Sequence, residues 1–224
     1  NFNALELENI EVINTDGIHY LYNDLGEADI IYIDPARRIS MGQKVFFIQD
    51  CTPNIIDIQD VLVAKSKKTI VKFSPMLDIS SALRDMPYIN EIHIVSVDNE
   101  CKELLFVLSK DIDANKRIVA VNIKKKEKEV FNFTTDLENN ASVRYTDTVG
   151  GYLYEPNASI LKSGAFKYVS EFYDLDKLHP NSHLYTSDSF ISDFPGRVFE
   201  VSYCFNPNKK NVAEFVKTNK KANI

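Results

Sequence analysis

The chain has 224 residues, of which 44% are hydrophobic and 26% are charged, and its formal net charge is −6. These values are ordinary for a soluble globular protein of one large domain or two modest ones. No apolar run reaches the length of a membrane span and the first residues show no signal-peptide pattern, so we expect a cytoplasmic protein without a membrane partner.

Cysteine and histidine usage indicates neither a disulfide framework nor a metal site. The three cysteines, Cys51, Cys101 and Cys204, are far apart, odd in number and form no CxxC pair. A reduced setting without a zinc site is the simplest interpretation. His179 and His183 are spaced like a metal pair, but no third ligand is near, so we expect no metal.

The charge is distributed unevenly along the chain. Residues 1–115 carry 10 Lys/Arg against 19 Asp/Glu, whereas residues 116–224 carry 16 against 13. The second part is therefore the better candidate for contact with a polyanion. Basic clusters such as Lys124–Lys126 are also common in solvated turns, so charge alone leaves both interpretations open.

The first third of the chain has a β-α-β rhythm. Residues 1–8 resemble the end of a helix, and Glu11–Asn14 (EVIN) is predicted as a short strand. A helix over Gly17–Leu25 should follow, and then the apolar run Ile30–Ile33, which is typical of a strand buried on both faces. This order predicts a parallel sheet with right-handed crossovers.

An acidic corner ends that apolar run. Asp34-Pro35 stops the strand, because proline lacks a backbone donor and keeps the preceding residue extended. A carboxylate is thereby held at the carboxyl end of a strand, where open α/β sheets bind ligands. Asp34 either caps a turn or, with Arg37 and Arg38 directly after it, belongs to a nucleotide-handling corner in which the guanidinium groups suit phosphate.

The sheet should end with an antiparallel hairpin. Residues 98–101 form a polar connection between two alternating runs, which is typical of a tight turn. The predicted elements from Asn54 onward are a helix over Asn54–Ala64, a strand over Thr69–Phe73 ending at Ser74-Pro75, a helix over Asp78–Met86, and hairpin strands over Ile89–Val97 and Glu103–Leu108.

Four separated motifs, YIDPARR, KFSPMLD, YLYEPNASILKSGAF and HPNSHLYTS, occur in an order that resembles a known family. Residues 1–110 look like the second half of a class I S-adenosylmethionine-dependent methyltransferase, whose sheet ends in a reversed strand. The whole chain resembles the bacterial THUMP-like-domain methyltransferases, in which a ferredoxin-like domain follows the catalytic domain. The resemblance implies an α/β fold: a Rossmann-like sheet with an antiparallel final hairpin, followed by a small α+β domain.

The resemblance also assigns roles to residues at the carboxyl ends of the strands. It implies that S-adenosyl-L-methionine is the cofactor and contacts Asp16, Gly17 and Asp34, and that Asp34 and Pro35 form the reaction centre. The residues that it places against the substrate are Arg37, Arg38, Lys72 and Ser74.

The chain departs from the family pattern in one important respect. The glycine-rich first motif and the acidic ribose ligand after the second strand have no counterpart here. We therefore expect a fragment of a longer methyltransferase that is inactive by itself.

The methylated atom can be argued from the corner at Ser74. A pyrimidine carbon acceptor needs a nucleophilic cysteine. The RNA 5-methyluridine methyltransferases share a similar Asp-Pro-Ala-Arg motif but place that cysteine near the end of the fifth strand, where this chain reads Phe73-Ser74-Pro75. An amino nitrogen is therefore favoured, with Asp34 and the Pro35 carbonyl accepting its hydrogen bonds.

The second half is predicted to hold a separate small domain. Residues 1–135 are assigned to the methyltransferase domain, 141–205 to the ferredoxin-like domain, and 206–224 to the start of a truncated THUMP-like segment. The elements expected here are a hairpin of Arg117–Ile123 and Val130–Phe133, a polar linker over Asp136–Asn140, a strand over Tyr152–Pro156, a helix capped by Asn157 with Gly164 in its interior, and a strand over Arg197–Phe205.

Two functions remain open from the sequence. The leading hypothesis is a fragment of an RNA methyltransferase acting on a base amino group of structured RNA, tRNA or rRNA, by family analogy. The alternative is a non-catalytic module that binds RNA or protein on a methyltransferase-like scaffold.

Overall fold

The computed structural model describes residues 7, 9–37 and 47–219 of the chain. Its strands are β1 (Ala28–Ile33), β2 (Ala36–Arg37), β3 (Cys51–Thr52), β4 (Ser66–Phe73), β5 (Ile89–Val97), β6 (Glu100–Leu108), β7 (Arg117–Ile123), β8 (Lys128–Thr134), β9 (Tyr152–Pro156), β10 (Asp176–Lys177), β11 (Tyr185–Ser187) and β12 (Gly196–Glu200). Its helices are α1 (Gly17–Asn23), α2 (Ile55–Lys65), α3 (Ile79–Asp85), α4 (Thr135–Asn140), α5 (Ala158–Ser163), α6 (Tyr168–Phe172) and α7 (Lys209–Thr218).

A six-stranded mixed sheet organises the first half of the chain. Its strand order is β1-β4-β6-β5-β7-β8. The pairs β1–β4 and β5–β7 are parallel, whereas β6 runs antiparallel to both of its neighbours and β8 runs antiparallel to β7. The expected parallel start followed by a reversed hairpin is confirmed. The α/β fold class is confirmed with it.

Local signals position the first three helices as the sequence predicts. Asp16, Asn54 and Asp78 are the N-caps of α1, α2 and α3, and each side chain accepts hydrogen bonds from backbone N–H groups of the first turn. Such caps satisfy donors that have no partner inside the helix, which fixes where each helix begins. The β5–β6 turn is also determined by neighbouring residues. Asp98 and Asn99 adopt positive φ angles of 47° and 64°, which suit a two-residue hairpin turn.

The six-stranded sheet is covered on one face and open on the other within the described residues. The covered face carries Val71, Phe106 and Ile94, which are fully buried beneath helices. On the opposite face Ile30 and Tyr32 of β1 are 59% and 57% exposed. The prediction that Ile30–Ile33 is buried on both faces is therefore wrong. An apolar run predicts a strand, but it does not show whether one or both faces of that strand are covered.

The predicted strand at EVIN is also wrong. Residues 11–14 form neither helix nor strand, and Val12 is 70% exposed. A strand requires a neighbour for its hydrogen bonds, and no described strand pairs with this segment. The prediction for residues 1–8 lies outside the described residues except at Leu7.

The second half forms a four-stranded antiparallel sheet with the order β10-β11-β9-β12. The single helix expected after Asn157 is divided into α5 and α6. Gly164 ends α5 in the left-handed conformation at φ 80°, so it is a C-cap and not an interior glycine. The expected strand Arg197–Phe205 ends at Glu200, where its pairing with β9 stops.

The segment Asp136–Asn140, predicted as a polar linker, is helical. It lies in the short helix α4, because the Thr134 hydroxyl caps the first turn by accepting a hydrogen bond from the Leu137 N–H. Glu138 of this helix in turn accepts hydrogen bonds from the backbone N–H groups of Lys167 and Tyr168, at 3.0 and 2.8 Å. This polar segment is therefore a helix, and its Glu138 connects the two halves of the chain.

The two sheets share one hydrophobic core. Helix α5 packs across β5, β6 and β7, and its Ile160 is fully buried in the same cluster as Phe106 and Tyr154. No helix in the described part of the chain is long and apolar enough to cross a membrane.

Candidate functional site

The parallel register of β1 and β4 brings two charged side chains together. Ile33 pairs with Val71, so the next residues along the two strands, Asp34 and Lys72, are neighbours at the carboxyl ends. Lys72 Nζ lies 2.6 Å from Asp34 Oδ2. The hydrogen bond to Asp34 is the main cause of a raised pKa for the Lys72 amine. The predicted reaction-centre acid and a predicted substrate residue thus form an ion pair.

This ion pair lies on the open face of the sheet. Successive side chains of a strand alternate between faces, so Tyr32 and Asp34 share the open face of β1. Asp34 keeps about half of its side chain exposed, whereas the next residue, Pro35, is buried. The carboxylate is therefore accessible while the backbone that carries it is held firmly.

The backbone after Pro35 continues into a small two-stranded sheet. Strand β2 pairs with β3 in antiparallel register, with Arg37 opposite Cys51. This pairing keeps the backbone of Arg37 beside the Asp34 corner. Arg38 lies outside the described residues.

Ser74 lies at the end of β4, next to the ion pair in sequence. Its hydroxyl accepts a hydrogen bond from the Met76 N–H at 3.2 Å, and its carbonyl accepts one from the Leu77 N–H at 3.1 Å. Lys162 of α5 donates a hydrogen bond to the Leu77 carbonyl at 2.8 Å. The corner that begins at Ser74 is thus a hydrogen-bonded turn that the second half of the chain supports.

Asp16 and Gly17 begin helix α1. Asp16 Oδ1 accepts hydrogen bonds from the N–H groups of Ile18 and His19, at 2.9 and 2.8 Å. The far end of α1 faces the start of the strands, because Lys65, just before β4, donates to the Leu25 carbonyl.

The predicted cofactor residues are compatible with S-adenosyl-L-methionine, although only in part. Both capping hydrogen bonds of Asp16 use Oδ1, so Oδ2 can accept a hydrogen bond from an amino group such as that of adenine. A Cβ atom placed on Gly17 would meet no atom within 4 Å. Gly17 therefore leaves the backbone open to a ligand, but packing within the described residues does not require a glycine there.

A cavity of about 540 Å³ lies on the helix-covered side of the molecule. It is bounded by residues of α3, α4 and α5 together with the sheet, among them Asp78, Ile118, Phe133, Glu138 and Lys162. Its charged side chains already make hydrogen bonds that stabilise the fold: Asp78 caps α3, Glu138 binds the start of α6, and Lys162 binds the Leu77 carbonyl. The cavity is thus separate from Asp34, whose side chain lies on the open face.

Sequence reasoning identified Asp34 and Lys72 separately but not their contact. The contact depends on the β1–β4 register, which no local motif specifies. The sequence did offer one signal: in each of the two strands a charged residue directly follows an apolar run. Within the described residues, no group of three or more His, Cys, Asp or Glu side chains could hold a metal ion.

Comparisons with known proteins agree with this architecture. Residues 152–195 match the family model of a ferredoxin-like domain. The chain is also similar to a solved structure from Porphyromonas gingivalis W83 that carries the name "putative methyltransferase", with 36% sequence identity and a TM-score of 0.79. The match covers 87% of this chain and 48% of that one, so the chain spans about half the length of this relative. No curated protein matches the chain.

The match over residues 152–195 includes β9, α5, α6, β10 and β11, and α5 packs on the six-stranded sheet. The chain therefore combines a methyltransferase-like α/β sheet with a ferredoxin-like domain.

Proposed function

We propose that the chain is part of an S-adenosylmethionine-dependent methyltransferase that acts on a base amino group of structured RNA. The observation that carries this proposal is the position of Asp34, an accessible carboxylate at the carboxyl end of a parallel strand, in a chain 36% identical to the methyltransferase-named relative. Ligands of open α/β sheets bind at this edge.

The cofactor would supply a methyl group bound to positively charged sulfur. Asp34 accepts a hydrogen bond from the amino group of the acceptor base, and the Pro35 carbonyl offers a second acceptor next to it. These contacts orient the nitrogen lone pair, and orientation of this kind contributes much of the acceleration in a displacement reaction. The new carbon–nitrogen bond would replace the methyl–sulfur bond, whose electron pair would stay on the departing, now uncharged sulfur. The proton that nitrogen loses has the Asp34 carboxylate as a nearby acceptor, from which it reaches solvent.

Cationic groups at the same edge support an RNA substrate. The β7–β8 turn lies at the sheet edge where β1 ends, and it extends past the line of paired residues that contains Asp34. It carries Lys125 and Lys126, which are exposed and form no ion pair among the described residues. Such side chains suit contact with RNA phosphates, which supply affinity without sequence specificity. tRNA or rRNA would be the structured substrate.

The open face of the sheet supports the view that the active enzyme contains further chain. Ile30 and Tyr32 lie exposed on this face, and parallel sheets are ordinarily covered on both faces. The relative is about twice as long as the matched region. We infer that additional chain covers this face and completes the cofactor site around Asp16 and Asp34.

The test compares two alanine variants in a protein that contains this chain at its natural length. Asp34→Ala should abolish transfer of a labelled methyl group to RNA from cells that lack the protein, with the unfolding midpoint unchanged. Asp29→Ala is the matched control: Asp29 lies on the same strand, is exposed and forms a 2.6 Å ion pair with Lys67. Retained transfer in Asp34→Ala removes Asp34 from the reaction.

A non-catalytic binding module is the second candidate. It is favoured by the engagement of both predicted acids, because Asp16 caps α1 and Asp34 is paired with Lys72. Calorimetric titration with S-adenosyl-L-methionine separates the two candidates. Failure of the natural-length protein to bind the cofactor would favour the module.

A further inference from the structure

Resting on the methyltransferase function proposed above, we propose that Lys72 is a positioning residue. It holds Oδ2 of Asp34, so that Oδ1 is the oxygen left to accept a hydrogen bond from an uncharged amino group of the substrate.

The position of Lys72 follows from backbone geometry and not from a chance surface encounter. Asp34 and Lys72 are the next residues after the paired Ile33 and Val71, and parallel register places both side chains on the open face. On its other side Lys72 is opposite Leu105 of β6, an apolar residue that offers no hydrogen bond from its side chain. Among the described residues, the ion-pair partner of the Lys72 amine is the Asp34 carboxylate, at 2.6 Å.

The ion pair restrains the orientation of Asp34. A carboxylate with about half of its surface in water can rotate among several rotamers, and each rotamer directs its oxygens differently. A short charge-assisted hydrogen bond to Oδ2 selects one arrangement. With Lys72 less exposed than Asp34, the lysine is the more fixed member of the pair.

The pair also sets the charge that an acceptor meets. A lone carboxylate would attract a cationic amine such as a lysine side chain, whereas the Asp34–Lys72 pair has no net charge. The other titratable groups that act on Lys72 from neighbouring strands are Glu103 of β6 and Tyr32 of β1. An uncharged exocyclic amino group of a nucleobase can donate to Oδ1 without meeting repulsion from the Lys72 ammonium.

Three variants of the natural-length protein test this role. Lys72→Met removes the charge at similar length, Lys72→Arg keeps it, and Lys68→Met is the matched control. Lys68 lies on the same strand and, by strand alternation, the same face, but at the opposite end and paired with Ile30. Lys72→Met should lower kcat on RNA from cells lacking the protein by about tenfold or more, with cofactor affinity within about twofold. Lys72→Arg should recover most of kcat, and Lys68→Met should match the wild type.

A titration independent of activity accompanies these assays. The Lys72 amine, followed by NMR, should show a pKa above the ordinary 10.5 in the wild type and a lower pKa in Asp34→Asn, because the hydrogen bond to Asp34 raises it. Three results would overturn the proposal: an unchanged kcat in Lys72→Met, an unchanged Lys72 pKa in Asp34→Asn, or faster methylation of a lysine-rich peptide than of RNA. A wild-type protein that transfers no methyl group refutes the proposed function as well, whereas an active wild type with an equally active Lys72→Met refutes only the role of Lys72.

Discussion

A polar network centred on Glu129 should contribute strongly to joining the two halves of the chain. The Glu129 carboxylate accepts hydrogen bonds from the Asn122 amide at 2.9 Å, from the Asn157 amide at 3.0 Å, and from the Lys124 amine. Asn122 and Glu129 belong to the β7–β8 hairpin, whereas Asn157 caps α5. Asn99, in the β5–β6 turn, extends the network by accepting a hydrogen bond from the Ala158 N–H at 2.7 Å.

The size of the Glu129 contribution can be estimated from its three donors. Asn122 and Asn157 are only 1% and 3% exposed, so in Glu129→Ala each amide would lose its acceptor away from water. An unsatisfied buried polar group costs about 1–3 kcal/mol. Lys124 is partly exposed and can turn to water or to Glu127, which adds less than about 1 kcal/mol. We expect Glu129→Ala to lower the free energy of unfolding by about 3 kcal/mol.

Urea unfolding of the chain at pH 7 measures this loss, with Glu127→Ala as the matched control. Glu127 lies in the same turn and contacts the same lysine, at 3.5 Å, but 69% of its side chain is exposed. Its removal should change the free energy of unfolding by no more than about 0.5 kcal/mol. A difference between the two variants below about 1 kcal/mol would refute the idea that the buried network joins the two halves.

Two further predictions concern pH and the end of α5. The hydrogen bonds of Glu129 lower its pKa even though burial alone would raise it, so its contribution to stability is complete above the ordinary value of 4.5 and is lost as the pH falls through the folded-state pKa. Urea unfolding between about pH 5 and pH 3 should therefore show a steeper loss in the wild type than in Glu129→Gln. Gly164→Ala should destabilise the chain by about 1 kcal/mol, because the residue has a left-handed φ of 80°. A stabilisation of similar size would instead support the interior-helix interpretation.

Local signals predicted most elements of the first half. The helices predicted over Gly17–Leu25, Asn54–Ala64 and Asp78–Met86 are present, and the polar connection at Asp98 and Asn99 is a tight turn. These signals succeed because each concerns hydrogen bonds or backbone angles within a few residues. Where structure depended on distant partners, prediction failed: EVIN has no described strand beside it, and Ile30 lies on an open face.

The same contrast between local signals and distant partners applies to the candidate site. The Asp34-Pro35 corner was predictable because proline ends a strand by its own covalent geometry. Its pairing with Lys72 was not, since a shift of β4 by one residue would move Lys72 to the opposite face. Gly164 shows the complementary error, because a glycine within an apolar periodic segment is equally compatible with a helix interior and a C-cap.

The ferredoxin-like domain also bears on the candidate site through the turn after β4. Lys72 is on β4, and Ser74 begins the turn that connects β4 to α3. Lys162 of α5 reaches this turn and binds the Leu77 carbonyl, while the start of α5 is held by the Glu129 network. Helix α5 therefore connects two points of the same sheet edge, the β7–β8 hairpin and the β4–α3 turn. A displacement of α5 would therefore act on the end of the strand that carries Lys72.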